Sequence, residues 1–426
     1  MKYKNLKRKS FLALVSLCAG FYLHAQDTLR ITLPEAENLF NSKNLSLLAE
    51  RYNIDIAKAQ VIQARLYNNP NFQFAGNIYD PENQKAFDIG GHTGEFVVGI
   101  QQTILLAGKR NKAIKLAETS VVLSENKFYD LLRTLRYTLR SDFYQAYFIQ
   151  SSISAYQVQI ASLENLNSTY QQLSAKGIVT LKDAVRIQSL LYSLKAEQTS
   201  LQNQFNDLEA EMQLLMRNNR VWFIPVSNIN VAAIPQIRLT SLQMLIDTAM
   251  TNRYDLKAAQ NSVVYSQQNY RLQKAMATPD LSLGVNFDKR GSFVEDASFF
   301  NLGIDLPFFN RNQGNIKASK SAIEQNKLLL DLQSQTVENE VQNAYAKALN
   351  TDKMLQSVDP NFRNEFEQLL KSVTENFQRR NISLLEFTDF YDSYKQNVLQ
   401  LNQLQSERMQ AIESLNFTIG KTLFNY

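Results

Sequence analysis

Residues 96–110 read FVVGIQQTILLAGKR, and the periodicity of the chain changes within this stretch. Up to Gln102 the residues alternate, with Phe96, Val98 and Ile100 on one face, which is the period-two pattern of a β-strand. Beyond Gly108, apolar residues recur every seven positions, which predicts a long coiled-coil-like helix. The members of that series are Ile114, Val121, Phe128 and Leu135. The stretch therefore predicts a strand that leads into a long helix with almost no loop.

The same change of pattern occurs again 204 residues later. An alternating run ends before Gly314, and Ile316, Ile323, Leu330, Val337 and Ala344 then step by seven. Further matching positions support two copies of one plan: Pro70 and Pro279 lie 209 residues apart, and Asp183 and Glu386 lie 203 apart. Self-similarity at a constant offset predicts an internal two-fold sequence repeat.

The segments are predicted as follows. Residues 1–25 form a signal peptide, 26–217 the first repeat, 218–240 a linker, 241–420 the second repeat and 421–426 a C-terminal tail. Each repeat is predicted to hold a single helix, two strands and a long helical hairpin.

Within the repeats, the first helix is expected over 33–66 and again over 242–277. The strands are expected at about 71–79 and 96–104, and at about 281–288 and 298–306. The hairpins turn near 177–183 and 379–386, and Pro360 is a candidate interruption of the second long helix.

The amino terminus has the three parts of a secretory signal. Lys2, Lys4, Lys7, Arg8 and Lys9 precede the apolar run 11–23, and Ala25-Gln26 offers a cleavage site. These five bases account for the formal net charge of +5, because residues 1–26 contain no acid. The remaining charge is balanced, so nothing favours a nucleic-acid partner. The only cysteine, Cys18, follows Leu17 rather than a small residue, so we expect ordinary cleavage rather than lipidation.

The predicted strands divide cleanly into an apolar and a polar face. The apolar residues, predicted to face lipid, are Phe72, Phe74, Phe96, Val98, Ile100, Leu283, Val285, Phe287, Leu302 and Ile304. Strands of about nine residues with this alternation suit an outer-membrane β-barrel, and two soluble hairpins with a buried face are the alternative. Four strands cannot close a barrel, whereas three copies supply twelve. The fold class is therefore a mixed α and β membrane protein: a trimeric β-barrel continued by a long α-helical barrel.

This plan resembles the TolC family of outer-membrane efflux ducts over essentially the whole mature chain. The resemblance is carried by Leu-Leu-Ala-Gly108-Lys109-Arg110 and Asn-Arg-Asn-Gln-Gly314 at the junctions, and by the turns at Gly177 to Asp183 and Ile382 to Asp389. It implies an outer-membrane homotrimer with a periplasmic helical extension. It also implies a periplasmic adaptor and an inner-membrane pump of the RND type as partners. The Gly-Lys-Arg junction is most similar to the heavy-metal branch that includes CusC and CzcC.

The acids at the predicted turns have two interpretations. Asp183, Glu386 and Asp389 can be ordinary helix-start carboxylates, which the helix dipole favours. In a trimer the same acids would form rings that attract cations, as the resemblance implies for Glu386 and Asp389. Both interpretations remain open. Arg379 and Arg380 are the accompanying gate candidates, and Arg380 stands where the first turn has Gly177.

Residues typical of catalysis or metal binding are scarce. The mature chain has one histidine, His92, in a predicted extracellular loop, and no cysteine. Gly108-Lys109-Arg110 lacks the remaining residues of a phosphate-binding loop. We therefore expect no enzyme, no metal site and no cofactor. The predicted function is a passive efflux duct, with heavy-metal cations as a candidate cargo, and the alternative is a periplasmic coiled-coil scaffold or adaptor.

Overall fold

A computed structural model describes residues 27–227, 237–290, 294–359 and 361–424. The predicted signal peptide with Cys18, part of the predicted linker, Pro360 and the last two residues lie outside the described residues. The helices and strands of the described chain are numbered in order below.

Six strands and four α-helices occur in the described part of the first half of the chain. They are β1 (Asp27–Ile31), α1 (Leu33–Lys43), α2 (Leu45–Arg65), β2 (Asn71–Gly76), β3 (Tyr79–Asp80), β4 (Lys85–Ala86), β5 (Phe96–Ile104), α3 (Lys109–Ala175), α4 (Leu181–Leu215) and β6 (Val221–Pro225). The strand at 96–104 agrees with the prediction. The prediction missed β1, which pairs in parallel with β6, and the short β3–β4 hairpin.

The second half has the same order of long elements. They are α5 (Leu242–Asn252), α6 (Tyr254–Met276), β7 (Leu281–Arg290), β8 (Glu295–Ile304), α7 (Gln313–Gln356), α8 (Phe362–Gln378) and α9 (Leu384–Ile419). Both strands extend further toward their connecting loop than predicted, because they pair as far as Arg290 and Glu295. The second long helix is interrupted between Gln356 and Phe362, whereas α3 runs unbroken for 67 residues.

The prediction of a single helix over 33–66 was wrong, because the helix is interrupted at Asn44. The buried side chain of Asn44 accepts a hydrogen bond from Leu47 N at 3.0 Å and donates one to Leu215 O at 2.8 Å. It thus satisfies the first turn of α2 and the last turn of α4 together, where helices leave backbone groups unpaired. As a result, α4 and α2 stack end to end.

The helix predicted over 242–277 is also broken, at Arg253, which lies 209 residues after Asn44. The guanidinium of Arg253 donates to Thr418 O near the end of α9 at 3.3 Å and pairs with Asp255 in the first turn of α6. A buried side chain therefore joins α9 to α6 as Asn44 joins α4 to α2. Neither break contains the Gly or Pro that usually marks one in a sequence.

Strands β2, β5, β7 and β8 form one antiparallel sheet in that order. Phe74 lies opposite Val98, Val98 opposite Phe287, and Leu283 opposite Leu302. Because residues paired across neighbouring strands point to the same face, the register puts all ten predicted lipid-facing residues on one face of this sheet. The sheet has two free edges among the described strands, β2 and β8.

The helices continue the order of the strands as four neighbouring columns. The first column is α4 below α2, the second is α3, the third is α9 below α6, and the fourth is α7 with α8. One apolar core fills the region where the stacked helix ends meet, and a second fills the hairpins nearer the turns.

Within the described residues, no helix combines the length and the apolar content needed to cross a membrane.

Candidate functional site at the helical turns and junctions

The first turn that connects two long helices, from α3 to α4, begins at Gly177, as the sequence predicted. Gly177 has a φ of 71°, and Ile178 N donates to Leu173 O at 2.9 Å. A left-handed residue followed by this backbone bond is the Schellman motif, which satisfies the last carbonyls of a helix. Thr180 then caps α4 by accepting from Asp183 N at 3.1 Å.

The second turn has the same geometry without a glycine. Arg380 has a φ of 64°, and Asn381 N donates to Asn376 O at 2.9 Å. Arginine in the left-handed region costs about 1–2 kcal/mol relative to its ordinary conformation. The turn therefore keeps an arginine at the tip in spite of this strain.

The three acids at the turns occupy different environments. Asp183 Oδ2 accepts from the hydroxyl of Thr180 at 2.8 Å. Glu386 forms a capping box with Ser383, in which its Oε2 accepts from Ser383 N at 2.8 Å. The bonds from the Ser383 backbone and hydroxyl hold the pKa of Glu386 below its usual value. Asp389 is exposed one turn further along α9. Asp183 and Glu386 therefore bond to the N-cap residues of their own helices, which does not exclude that they also face the tunnel.

The two turns lie side by side. A cleft of about 490 Å³ separates them, and Gly177, Asp183, Phe377 and Arg380 contribute to its walls. Arg379 and Arg380 are exposed, and among the described residues neither forms an ion pair with the three acids. A gate held by such pairs would need contacts between copies of the chain.

Stacked aromatic rings hold the two hairpins together just above the turns. Tyr170 of α3 stacks on Phe377 of α8 at 5.5 Å, and Phe377 stacks on Phe387 of α9 at 4.3 Å between ring centroids. Offset stacked pairs of this kind add about 0.5–1.5 kcal/mol each beyond burial. The heptad spacing of the helices places these rings on the apolar side but does not show that they stack on one another.

At the first strand-to-helix junction, each predicted residue has a distinct structural role. Gly108 is left-handed with a φ of 65° and precedes α3. The buried ammonium of Lys109 lies 2.6 Å from Asp280 Oδ1, immediately before β7. Arg110 donates to the terminal carbonyl of α2, Arg65 O, at 2.6 and 2.9 Å, and its guanidinium lies 4.0 Å from the ring centre of Tyr67. The junction therefore connects neighbouring columns.

At the second junction the left-handed residue is Asn312, with a φ of 57°, and not Gly314. Gly314 lies inside the first turn of α7. Asn312 Nδ2 donates to Gln273 O at 2.8 Å, near the end of α6. Asparagine tolerates left-handed backbone better than most residues and supplies this bond as well, so it replaces the glycine of the first junction.

An aromatic row crosses the apolar face of the sheet near its connecting loops. Phe74 and Phe96 lie 6.1 Å apart, and Phe96 and Phe287 lie 5.9 Å apart. The ammonium of Lys289 lies 5.8 Å from the centre of the Phe96 ring. Aromatic rings with nearby cations are typical of the border between a membrane and water. His92 is exposed in the loop beyond this row.

The described residues contain no group of three or more His, Cys, Asp or Glu side chains placed to hold a metal ion. Some buried charges form ion pairs between columns. Arg140 of α3 pairs with Glu413 of α9 at 2.6 Å and with Glu37 of α1 at 2.9 Å. Burial opposes the charge of Arg140, but the hydrogen bonds to these acids outweigh it and raise the pKa of the guanidinium.

Asp142 of α3 is a further buried carboxylate. Its Oδ2 has no hydrogen-bond partner. Burial, with a smaller contribution from Glu211, raises the pKa of Asp142 to about 7. Asp142 lies seven residues after Leu135, so the heptad series of α3 already indicates that it is on the covered face of the helix.

A sheet with one apolar face, joined to columns of helices with paired turns, defines the class of membrane channels that continue into a helical tunnel. The family model for outer membrane efflux protein matches this chain twice, over residues 38–216 and 245–421. The chain belongs to the family of outer membrane efflux proteins. Members of the family are transport channels rather than enzymes, and the protein is an outer-membrane channel with a periplasmic helical tunnel.

Individual relatives agree with this assignment. The chain is 27% identical to the outer membrane protein TolC of Salmonella enteritidis over 188 residues, 41% of this chain and 38% of TolC. The structure of CusC matches 91% of this chain and 92% of its own, with a TM-score of 0.72 and 15% identity. The CmeC outer membrane channel of Campylobacter jejuni matches 92% of this chain and 86% of its own, with a TM-score of 0.73 and 13% identity. Since CusC and CmeC match equally well, the fold does not single out the CusC branch.

Proposed function

We propose that three copies of this chain form a closed duct that passively conducts substrate from a periplasmic adaptor and inner-membrane pump to the cell exterior. The observation that carries this proposal is the pair of free edges, β2 and β8, on opposite sides of the same sheet. A strand edge left open in lipid would leave backbone groups unpaired at several kcal/mol each. Pairing β2 of one copy with β8 of the next removes both edges.

The helices support the same arrangement. Column one carries exposed apolar side chains on α2, among them Tyr52 at 69% and Ile62 at 65% exposure. Column four carries them on α7, among them Leu328 at 72% and Leu332 at 60%. These two surfaces lie on opposite sides of the chain, as β2 and β8 do. Two different surfaces that meet between copies generate a ring when the rotation closes.

Three copies are favoured because they give twelve strands, an even number within the known range for barrels. The ten apolar residues of the sheet then face lipid, and the opposite face, with Gln73, Asn286 and Asn301, lines the lumen. The matching halves of the chain are attributed to duplication of one ancestral repeat.

The turns lie at the far end of the tunnel from the sheet, so we assign Asp389, Arg379 and Arg380 to its periplasmic mouth. Threefold symmetry brings three copies of each exposed charge together there, which would influence ion passage. Heavy-metal cations are one candidate cargo, by analogy with CusC. Because no ligand cluster is present among the described residues, such a cation would pass through without being bound.

Crosslinking tests the closed trimer directly. The chain carries no cysteine after residue 18, so two can be introduced at Gln73 in β2 and Asn301 in β8. With a short bismaleimide, membranes holding this variant should give covalent dimers and trimers and nothing larger. The control places cysteines at Asn71 and Gln101, which are partners within one chain and should give only crosslinked monomer. If the largest crosslinked product contains a number of copies other than three, the trimer is refuted.

Conductance tests the function. Purified protein in a planar bilayer should give ion currents without any energy source. Cells that lack the chain should lose export of the cargo carried by the adaptor and pump. Protein that inserts as a trimer but passes no current under any applied voltage would contradict the duct.

A further inference from the structure

A cleft of about 220 Å³ lies beside the end of α9, far along the chain from the helical turns. Its lining includes four basic side chains, Arg133, Arg136, Arg140 and Lys421, and one acid, Glu413. Four cations around so small a space are costly unless anions compensate them. The question is which of these charges are already compensated within the chain.

Two of the arginines are paired. Arg133 lies 2.7 Å from Asp130 and 3.5 Å from Asp255. Arg140 is bound by Glu413 and Glu37, as described above. These contacts compensate two of the four cations and also engage the carboxylates next to them.

Arg136 is different. Its Nε is buried and has no hydrogen-bond partner. Among the described residues no acid lies within ion-pair distance of Arg136 or of the exposed Lys421. Buried polar groups in folded proteins are nearly always satisfied, so an unsatisfied guanidinium nitrogen indicates a missing partner. The cleft therefore has an excess of positive charge centred on Arg136.

The walls of the cleft are aromatic. Tyr129 stacks on Tyr254 at 4.7 Å, and Tyr137 stacks on Phe417 at 4.7 Å between ring centroids. Arg133 lies 4.2 Å over the Phe417 ring and donates to Phe417 O, so this wall is held in place. A cleft with aromatic walls and one guanidinium group without an ion-pair partner suits an anion that also carries an apolar group.

We propose that this cleft binds a carboxylate group through the guanidinium of Arg136, with Lys421 at its mouth. A guanidinium presents parallel N–H donors that match the two oxygens of a carboxylate. The carboxylate has two possible sources: a small organic acid, or an Asp or Glu side chain from a second copy. The second source rests on the proposed trimer, and the first does not.

Ligand-observed fluorine NMR tests the first source on the purified full-length protein. The probe is 4-fluorobenzoate, and 4-fluorobenzamide is the uncharged control of the same shape. We expect binding of the benzoate alone, weakened at least tenfold by Arg136→Gln and less by Arg136→Lys, which keeps the charge and loses the fork. Arg271→Gln removes an exposed arginine of α6 outside the cleft and should leave binding unchanged.

Oligomer stability tests the second source. If a neighbouring acid fills the cleft, wild-type protein will not bind the benzoate, and Arg136→Gln will lower the temperature at which the oligomer dissociates, whereas Arg271→Gln will not. If the benzoate does not bind and both variants dissociate like wild type, the proposal is wrong. The crosslinking experiment above is independent of Arg136, so failure of the trimer and failure of this site can be told apart.

Discussion

The buried Lys109 and the half-buried Asp280 form an ion pair 2.6 Å long that connects the start of α3 to the start of β7. Asp280 Oδ1 also accepts from Leu106 N at 3.0 Å, so one carboxylate fixes the turn before α3 and the charge within it. The first junction of the chain is thereby locked to the first strand of its second half.

This pair predicts unequal effects for its two members. Asp280→Ala leaves the ammonium of Lys109, only 5% exposed, without its partner, and we expect a loss of about 3–5 kcal/mol. Lys109→Met leaves the more exposed Asp280 with its backbone bond and should cost less. The temperature at which the purified protein loses its structure measures both. A double variant that is as unstable as Asp280→Ala alone would show that the unpaired charge is not the cause.

The sheet register predicts which strand residues tolerate charge. Leu283→Arg or Ile304→Arg places a cation on the apolar face and should block membrane assembly, at a cost of about 2–4 kcal/mol near the midplane. Asn286→Arg and Asn301→Arg lie on the opposite face and should assemble normally. Heat-modifiable oligomer in the outer-membrane fraction is the measurement. Equal loss in both groups would mean that the faces have been assigned the wrong way or that neither contacts lipid.

The turn charges predict ion selectivity. Glu386→Gln keeps the capping box, which glutamine can also form, and combined with Asp389→Asn it removes two acids per copy. We expect lower cation selectivity in planar bilayers, and we expect higher conductance when Arg379 and Arg380 are replaced by Gln and Asn. The differences should shrink as salt rises from about 0.1 M to 1 M, because the screening length falls from about 10 Å to 3 Å. Currents identical to wild type at low salt would restrict these acids to helix capping.

We expect the replacement of Asn44 to lower the stability of the protein more than the replacement of an exposed polar residue does. Asn44→Ala removes the bonds to Leu47 N and Leu215 O and should cost about 1–2 kcal/mol. Asn44→Asp keeps the cap acceptor but brings a carboxylate against a carbonyl, so it should not restore stability. Asn53→Ala, on the exposed side of α2, serves as the control. If Asn53→Ala lowers the melting temperature as much as Asn44→Ala does, Asn44 does not join the ends of α4 and α2.

Asp142 predicts a dependence of stability on pH. Its pKa is raised to about 7 in the folded chain, so the folded state binds the proton more tightly than the unfolded state. The stabilisation that protonated Asp142 contributes to the folded state is fully present below the unfolded pKa of about 4. It is lost as pH rises through 7. Allowing for solvent screening, it is on the order of 2 kcal/mol. Asp142→Asn should reduce the change of the melting temperature with pH between pH 5 and 8. An unchanged slope would place the titrating group elsewhere.

Much of the fold could be predicted from periodicity. The change at Gly108 placed β5 and α3 correctly, and Thr180 and Ser383 cap their helices where the turns were expected. The breaks at Asn44 and Arg253 could not be predicted, because each depends on a helix end brought there from far along the chain. Likewise, the left-handed conformation of Arg380, which is usual for glycine, does not follow from its residue type.

By itself, the sequence determined the alternation of the strands, the heptads of the helices and the offset of its two halves. The first two are local patterns, since a residue two or seven positions away lies on the same face whatever else the chain does. Only the tertiary structure decided that β5 pairs with β7, that Lys109 meets Asp280, and that Nε of Arg136 is buried without a hydrogen-bond partner. Such contacts join residues far apart in the chain, and their energies depend on burial, which no local pattern records.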